Sequence, residues 1–412
     1  MMYSEAREVY AKYGIDTEKV LETVAKVPVS INCWQGDDVI GFEKNARALS
    51  GGIQTTGDYP GRARTPQELM DDFTFASSLI PGAKRLNLHA SYLVTDKPKD
   101  RNEIEPEDYR VWIDYAKEHG LGLDFNPTCF SHPMVVNNLT LSSPHREVRD
   151  FWVEHCRRSR RVAAAFAREL GTYSVCNLWI PDGFKDTPAD RLTPRLRLRD
   201  CLDEIFSEKL DGVVDSVESK VFGIGVESFT VGSNEFYLGY ASSHKGVYQL
   251  LDSGHYHPTE VISEKISALL CTFDRIPLHV TRSVRWDSDH VVRLDDELKE
   301  IAKEIVRNDA LDKVLVGLDF FDASINRIVA WVVGTRNMKK ALLMAMLEDN
   351  ASMKADQENE NYTRLFAYSE QMKNLPWQEV WNEWLRREGL ESGTGWFDEV
   401  MKYEKEVLLK RN

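Results

Sequence analysis

The chain has 412 residues, with 52 Lys and Arg against 66 Asp and Glu, a formal net charge of −14. That acidity disfavours nucleic acid and anionic membranes as partners. At 42% hydrophobic and 29% charged residues, with no apolar run near the ~18 residues of a membrane span, the chain reads as a globular enzyme or binding protein. Six cysteines, none in a C-x-x-C pair, read as free thiols of a reducing compartment. The charged opening MMYSEAREVYAKYGID lacks the apolar segment of an export signal, so the expected location is cytoplasmic.

In chain order, a helix is predicted over about 3–25, then a strand at 27–34 (VPVSINCW). The loop 50–66 (SGGIQTTGDYPGRARTP) carries four glycines and two prolines; it is either a plain surface loop or a mobile lid over a substrate. A strand at 84–92, a helix at 105–120 and a strand at 121–129 follow. The helical pattern at 150–170 contains CRRSRR (156–161), read as a solvated or subunit-facing surface. Strands at 172–180, 213–222 and 247–255 come next, then a helix at 259–270, a strand at 276–283, a helix at 293–308 and a strand at 314–321. From about Arg336 onward the pattern is helical, with a Trp-rich stretch at 376–389 and a glycine break at 389–396.

Eight strands alternating with helices predict an α/β fold, a (β/α)8 TIM barrel with additional N- and C-terminal helices. The competitor, a doubly wound open sheet, lacks the G-x-G-x-x-G expected after its first strand. The expected division is an N-terminal extension (1–26), a catalytic barrel (27–335) and a C-terminal helical extension (336–412). Such added helices often pack between subunits, which predicts an oligomer.

Barrel active sites form at the C-terminal ends of the strands. Polar residues gather there: Asn87 and His89 on the second strand, Asn177 and Trp179 on the fourth with Asp182 beyond, and Glu218 and Lys220 on the fifth. The sixth ends in Asp252, His255 and, further on, His257; the seventh carries His279, followed by RWDSDH (285–290) with Asp287 and Asp289; the eighth carries Asp319. Taken singly, an Asp at a strand end is usually a helix cap, a lone His a satisfied core residue, and His257 a capping or supporting residue before Pro258. Together, Glu218, Asp252, Asp287, Asp289, Asp319, His255 and His279 are too many ionisable groups to bury without cations. Seven ligands suit two neighbouring ions, and oxygen-rich ligation with some imidazole favours Mn2+ over Mg2+. Lys220 is either a salt-bridge partner of this cluster or a cation that stabilises charge on a substrate oxygen. Trp179 either fills the barrel or walls one face of a sugar.

Several segments resemble the L-rhamnose isomerase family: ESKVFGIGVESFTVGSNEFYLGY (218–240), DSGHYHPTEVIS (252–263), VRWDSDHVV (284–292), VGLDFFDASINRIVAWVVGTRNMKKALL (316–343), VSINCWQGDDVIGFE (29–43) and NLWIPDG (177–183). The resemblance implies a homotetramer, Mn2+ dependence and conversion of L-rhamnose to L-rhamnulose, the first step of rhamnose degradation. It implies that His255, Asp287 and Asp289 hold a catalytic metal, and that Glu218, Asp252, His279 and Asp319 hold a second, structural one. Spacing alone does not make this division. His255 and Asp287, with Trp179, are also the expected substrate contacts. The E-S-K triplet is similar to the E-P-K of xylose isomerases, which suggests a shared hydride shift. Lys220, His89 and Asp319 are the expected catalytic residues, His89 assisting ring opening. The rivals are another metal-dependent enzyme on this barrel, such as an epimerase or a phosphoester hydrolase, and a non-catalytic sugar-binding protein.

Overall fold

The computed structural model describes residues 2–44, 50 and 53–411. Eight parallel strands close into a barrel: Val29–Asn32, Lys84–His89, Gly122–Asn126, Ser174–Leu178, Val213–Glu218, Val247–Asp252, Ile276–Val280 and Val314–Leu318. Each pairs with its neighbours in sequence, and the eighth closes on the first through Ser30 and Gly317. The expected (β/α)8 architecture is the observed one. The strands are almost wholly buried on both faces, which explains why they read as continuous apolar runs. Every strand ends earlier than the run that announced it, with polar residues such as His89, Asn126, Glu218 and Asp252 as the last members of the ladder.

The register levels those ends. Asp252 pairs with His279 across the sixth and seventh strands, and His89 with Asn126 across the second and third. At Gly317, opposite His279, a Cβ would stand 3.1 Å from the imidazole Cδ2. Glycine there leaves room for the ring.

The outer helices form where the sequence caps them. Thr65 accepts from Glu68 N ahead of Pro66–Ser78, with Pro66 in the first turn. Asp295 accepts from Leu298 N ahead of Asp296–Arg307, whose buried Leu298, Ile301, Ala302 and Ile305 follow helical periodicity. Gly120 and Gly171 end their helices in left-handed conformation.

Two local expectations need correction. The single helix over 3–25 is two, Tyr3–Ala11 and Thr17–Lys26, broken where Gly14 adopts φ 73° and Asp16 caps the second. The basic patch at 156–161 is not simply a solvated face: Arg160 turns inward to a bidentate pair with Asp215, at 2.7 Å for each bond. Residue 336, the expected start of the C-terminal extension, lies within the helix Arg327–Met346.

The C-terminal helices wrap back onto the barrel. Arg411 makes bonds of 2.6 and 2.8 Å to Asp72 and a further one of 3.1 Å to the Gly61 carbonyl, while Arg64 reaches the Arg411 carbonyl at 2.8 Å. Tyr59 donates to Glu404 at 2.6 Å, and Tyr403 stacks on Phe75. The far half of loop 50–66 is thereby braced; Gly51 and Gly52 of that loop lie outside the described residues. Among the described residues, no helix is long and apolar enough to cross a membrane.

The end of the barrel opposite the mouth is held by a buried ion pair. Arg85 donates to both oxygens of Asp124 at 2.9 and 2.8 Å, and Asp124 also accepts from Ser30 Oγ and Val175 N. The first four strands therefore meet at one carboxylate. Asp124→Ala leaves the buried Arg85 guanidinium without its counter-ion and is expected to cost about 3–5 kcal/mol. Urea unfolding of the variant beside the unaltered protein checks this; unchanged stability would contradict the structural role.

Candidate metal centre

Glu218 ends the fifth strand, Asp252 ends the sixth, His279 lies near the end of the seventh, and Asp319 follows the eighth directly. One ligand atom from each comes within 4.8 Å of all the others. Metal–oxygen bonds of about 2.0–2.6 Å put opposite ligands of one ion about 4–5 Å apart, the same span. His279 Nδ1 stands 3.7 Å from Glu218 Oε2, 3.8 Å from Asp252 Oδ2 and 3.7 Å from Asp319 Oδ1, all beyond hydrogen-bond length. His279 Nδ1 and Asp252 Oδ2 are buried and have no hydrogen-bond partner among the described residues. Buried polar atoms that face each other unpaired are costly, and a divalent cation among them relieves that cost. The donor set, three carboxylates and an imidazole, fits such an ion.

The remaining three residues approach from one side. Arg282–Val284 and Trp286–His290 form an antiparallel hairpin that turns at Arg285, φ 69°. Its pairing shifts register, and Asp289 takes φ 49°, so a bulge re-aims this segment at the barrel mouth. His255 lies in the turn after the sixth strand and joins the two groups: its Nδ1 is 3.0 Å from Glu218 Oε1 and its Nε2 3.2 Å from Asp287 Oδ2. Lys220 Nζ donates to Asp287 Oδ2 at 2.6 Å and sits 5.4 Å above the Trp179 ring. Of its two expected readings, the ion pair is therefore present, and the ammonium also faces the cavity. At Gly254 a Cβ would lie 2.8 Å from Asp287 Oδ1, so the turn must be bare there.

The electrostatics are those of an overfilled acid cluster. Burial raises Asp252 to about 6 and holds Asp289 and Asp319 well above the ordinary carboxylate range, with neighbouring carboxylates adding to each. Burial also opposes ionisation of Glu218, yet the imidazoles of His255 and His279 hold its pKa well below normal. Asp287 is likewise lowered against burial by Lys220 and His255. Burial disfavours the His255 cation, but Asp252, Asp287 and Glu218 hold its pKa well above the usual value. Like charges that cannot all ionise together are a signature of a site built for a cation or for proton transfer.

Of these residues, Glu218, Lys220, His255, His279, Asp287, Asp289 and Asp319 line a cavity of about 230 Å3 at the barrel mouth; Asp252 is buried behind them and does not line it. Trp34, Phe130 and Trp179 supply aromatic wall, and Ile53, Gln54 and Thr56 bring the loop after the first strand to its rim. His89 lines it too, with Nδ1 2.8 Å from Thr128 Oγ1; burial, then Arg101, lowers its pKa to about 3, so it is neutral. The structure thus gathers Glu218, Lys220, His255, His279, Asp287, Asp289, Asp319, His89 and Trp179 in one place. Asp182 is not there: it is buried in bonds from Thr140 and Ser142. His257 is exposed, with its side chain bonded to Thr259 nearby; the helix begins at Ile262 rather than near Thr259, so His257 does not cap it.

Other cavity residues had carried no role. Asn177 donates to Glu218 Oε2 and so orients that carboxylate. Asn126 occupies on the third strand the level of His89 on the second, a strand-end position that the sequence rule would have flagged. Trp34 and Phe130 gave no signal, because an aromatic after a strand is more often core.

Comparison with known proteins agrees over the full length. The family model for L-rhamnose isomerase (RhaA) matches residues 1–411. The L-rhamnose isomerase of Enterobacter sp. (strain 638) is 56% identical over 408 residues, covering 98% of this chain and 97% of its own. That of Pectobacterium carotovorum subsp. carotovorum (strain PC1) is 57% identical over 408 residues with the same coverage. Among solved structures, the 3-keto-D-glucoside 4-epimerase YcjR from E. coli superposes with a TM-score of 0.46 at 12% identity, over 70% of this chain and 99% of its own. An L-ribulose 3-epimerase gives 0.44 at 13%, over 69% and 94%. On the strength of the full-length match, this chain belongs to the L-rhamnose isomerase family.

Proposed function

We propose that the protein interconverts L-rhamnose and L-rhamnulose in the barrel-mouth cavity by a metal-assisted 1,2-hydride shift, the first step of L-rhamnose degradation. The observation that carries the reading is the ligand cluster of Glu218, Asp252, His279 and Asp319, set beside Lys220, His255 and Asp287 in one cavity. The reading assigns those four residues to a structural ion and His255, Asp287 and Asp289 to a catalytic one, with Mn2+ as the metal. Bound there, a divalent cation supplies Lewis-acid polarisation of the sugar's carbonyl and hydroxyl oxygens.

The chain's own residues do the rest. The sugar rests as a ring, so opening comes first: His89, neutral and within the cavity wall, moves a proton between the anomeric hydroxyl and the ring oxygen. In the open chain a hydride leaves C2 for C1 while the O2 proton passes to O1, which turns aldose into ketose with all atoms conserved. Lys220, whose cation is opposed by burial but favoured by Asp287, places fixed positive charge where oxygen becomes anionic. His255 and Asp287 orient the sugar, and Asp319 acts both as a ligand and as a catalytic carboxylate. Trp34, Phe130 and Trp179 exclude water, which a hydride shift requires. Loop 50–66, which brings Ile53, Gln54 and Thr56 to the cavity rim, acts as a lid over the sugar. The reading includes a cytoplasmic homotetramer with barrel 27–335 as its catalytic unit; exposed Tyr362 and Phe366 on the helix Tyr362–Met372 supply apolar surface for subunit contact.

Three outcomes are expected. Exhaustive chelation abolishes ketose formation from L-rhamnose, and Mn2+ restores more of it than Mg2+; full activity after chelation would sink the metal assignment. Lys220→Met lowers kcat by about 100- to 1,000-fold with a smaller change in KM, as when one stabilising group is removed from an oxyanion site. In D2O, the product's C1 takes up much less than one equivalent of deuterium by NMR; stoichiometric incorporation means an enediol route.

A further inference from the structure

We infer that Thr128 is a positioning residue for His89: its hydroxyl fixes the imidazole in the form protonated at Nδ1, so that Nε2 is the basic nitrogen. The inference deepens the proposed ring-opening role of His89 and rests on it. A neutral imidazole carries its proton on one nitrogen only, and a proton-transfer group works only if the nitrogen offered to the sugar has the right one of the two states.

Thr128 Oγ1 has three polar neighbours: His89 Nδ1 at 2.8 Å, the Ala90 amide nitrogen at 2.9 Å and the Asn126 carbonyl at 3.2 Å. A hydroxyl donates once and accepts twice. The Ala90 amide can only donate and the Asn126 carbonyl can only accept. If the hydroxyl proton goes to Asn126, one lone pair takes Ala90 N–H and the other takes His89 Nδ1–H, and all three contacts are satisfied. If it goes to His89 instead, the Asn126 contact is lost and the ring proton moves to Nε2, which has no hydrogen-bond partner among the described residues.

The surroundings hold this arrangement still. Thr128 has φ 60°, left-handed backbone that a β-branched residue rarely adopts, and the neighbours impose it. Arg101 donates to the carbonyls of Thr128 and Phe130, while Glu43 anchors its guanidinium. His155 contacts the carbonyls of Pro127 and Arg101 on the other side. The His89 ring is met edge-on by Trp34 at 4.4 Å and by Phe130 at 5.7 Å between centroids, so it cannot turn over.

The test is 15N NMR of histidine-labelled protein saturated with Mg2+, a diamagnetic ion, with the His89 signals identified by their loss in His89→Asn. At neutral pH the unaltered protein is expected to show Nδ1 protonated and Nε2 bare. Thr128→Val is expected to mix the two forms and to lower kcat/KM for L-rhamnose by about 10- to 100-fold, whereas Thr128→Ser, which keeps the hydroxyl, stays within about threefold; proton transfer by a positioned side chain is worth a loss of this order. A proton on Nε2 in the unaltered protein, or an unchanged tautomer in Thr128→Val, overturns the inference. The spectrum of the unaltered protein and the serine variant decide the matter even if the valine variant folds poorly. With the tautomer as expected but kcat/KM unchanged in His89→Asn, the ring-opening reading fails instead.

Discussion

Carboxylates repel one another most strongly where water is excluded, and this barrel mouth turns five of them inward with two imidazoles. Glu218 occupies the pivotal place, between His255 and His279, with Asn177 fixing its orientation. The surrounding features follow from that crowding. Gly317 and Gly254 are bare where a side chain would press on His279 or Asp287, and Lys220 offsets part of the charge through Asp287. Such a cluster costs stability, and it sits on the fifth to eighth strands. The other half of the barrel is fastened differently: at the end opposite the mouth, Arg85 and Asp124 bind the first four strands together through a fully bonded ion pair.

Much of this was legible in the sequence because barrels obey two simple rules. Strands buried on both faces must be apolar, which located all eight, and their polar C-terminal ends must meet, which selected the cavity residues. What stayed hidden depends on partners distant in sequence. Arg160 belongs to a run of basic residues, and only Asp215, on another element, turns it inward. Trp34 and Phe130 become cavity wall only through the curvature of the barrel. Thr128 is an ordinary residue in a loop until its backbone angle and the approach of His89 are known. Assigning ligands between two ions is of the same kind: His255 stands near both groups, and spacing along the chain cannot separate them.

The aromatic walls and the acid cluster divide the cavity into an apolar and a charged side. That asymmetry suits a molecule with hydroxyls along one edge and little polarity elsewhere. A sugar seated there loses its water in exchange for fixed charges, and the reaction needs both the dryness and the charge at once.

The brace on the far half of loop 50–66 has a consequence for assembly. Its anchors, Glu404 and Arg411, are synthesised after every barrel strand. Residues just after the eighth strand already hold the same segment: Tyr59 N donates to the Ala323 carbonyl, and Arg327 donates to the carbonyls of Tyr59 and Pro60. A nascent chain can therefore seat this rim segment as its barrel closes, and the later helices clamp a loop that is already placed without contributing a side chain to the chemistry.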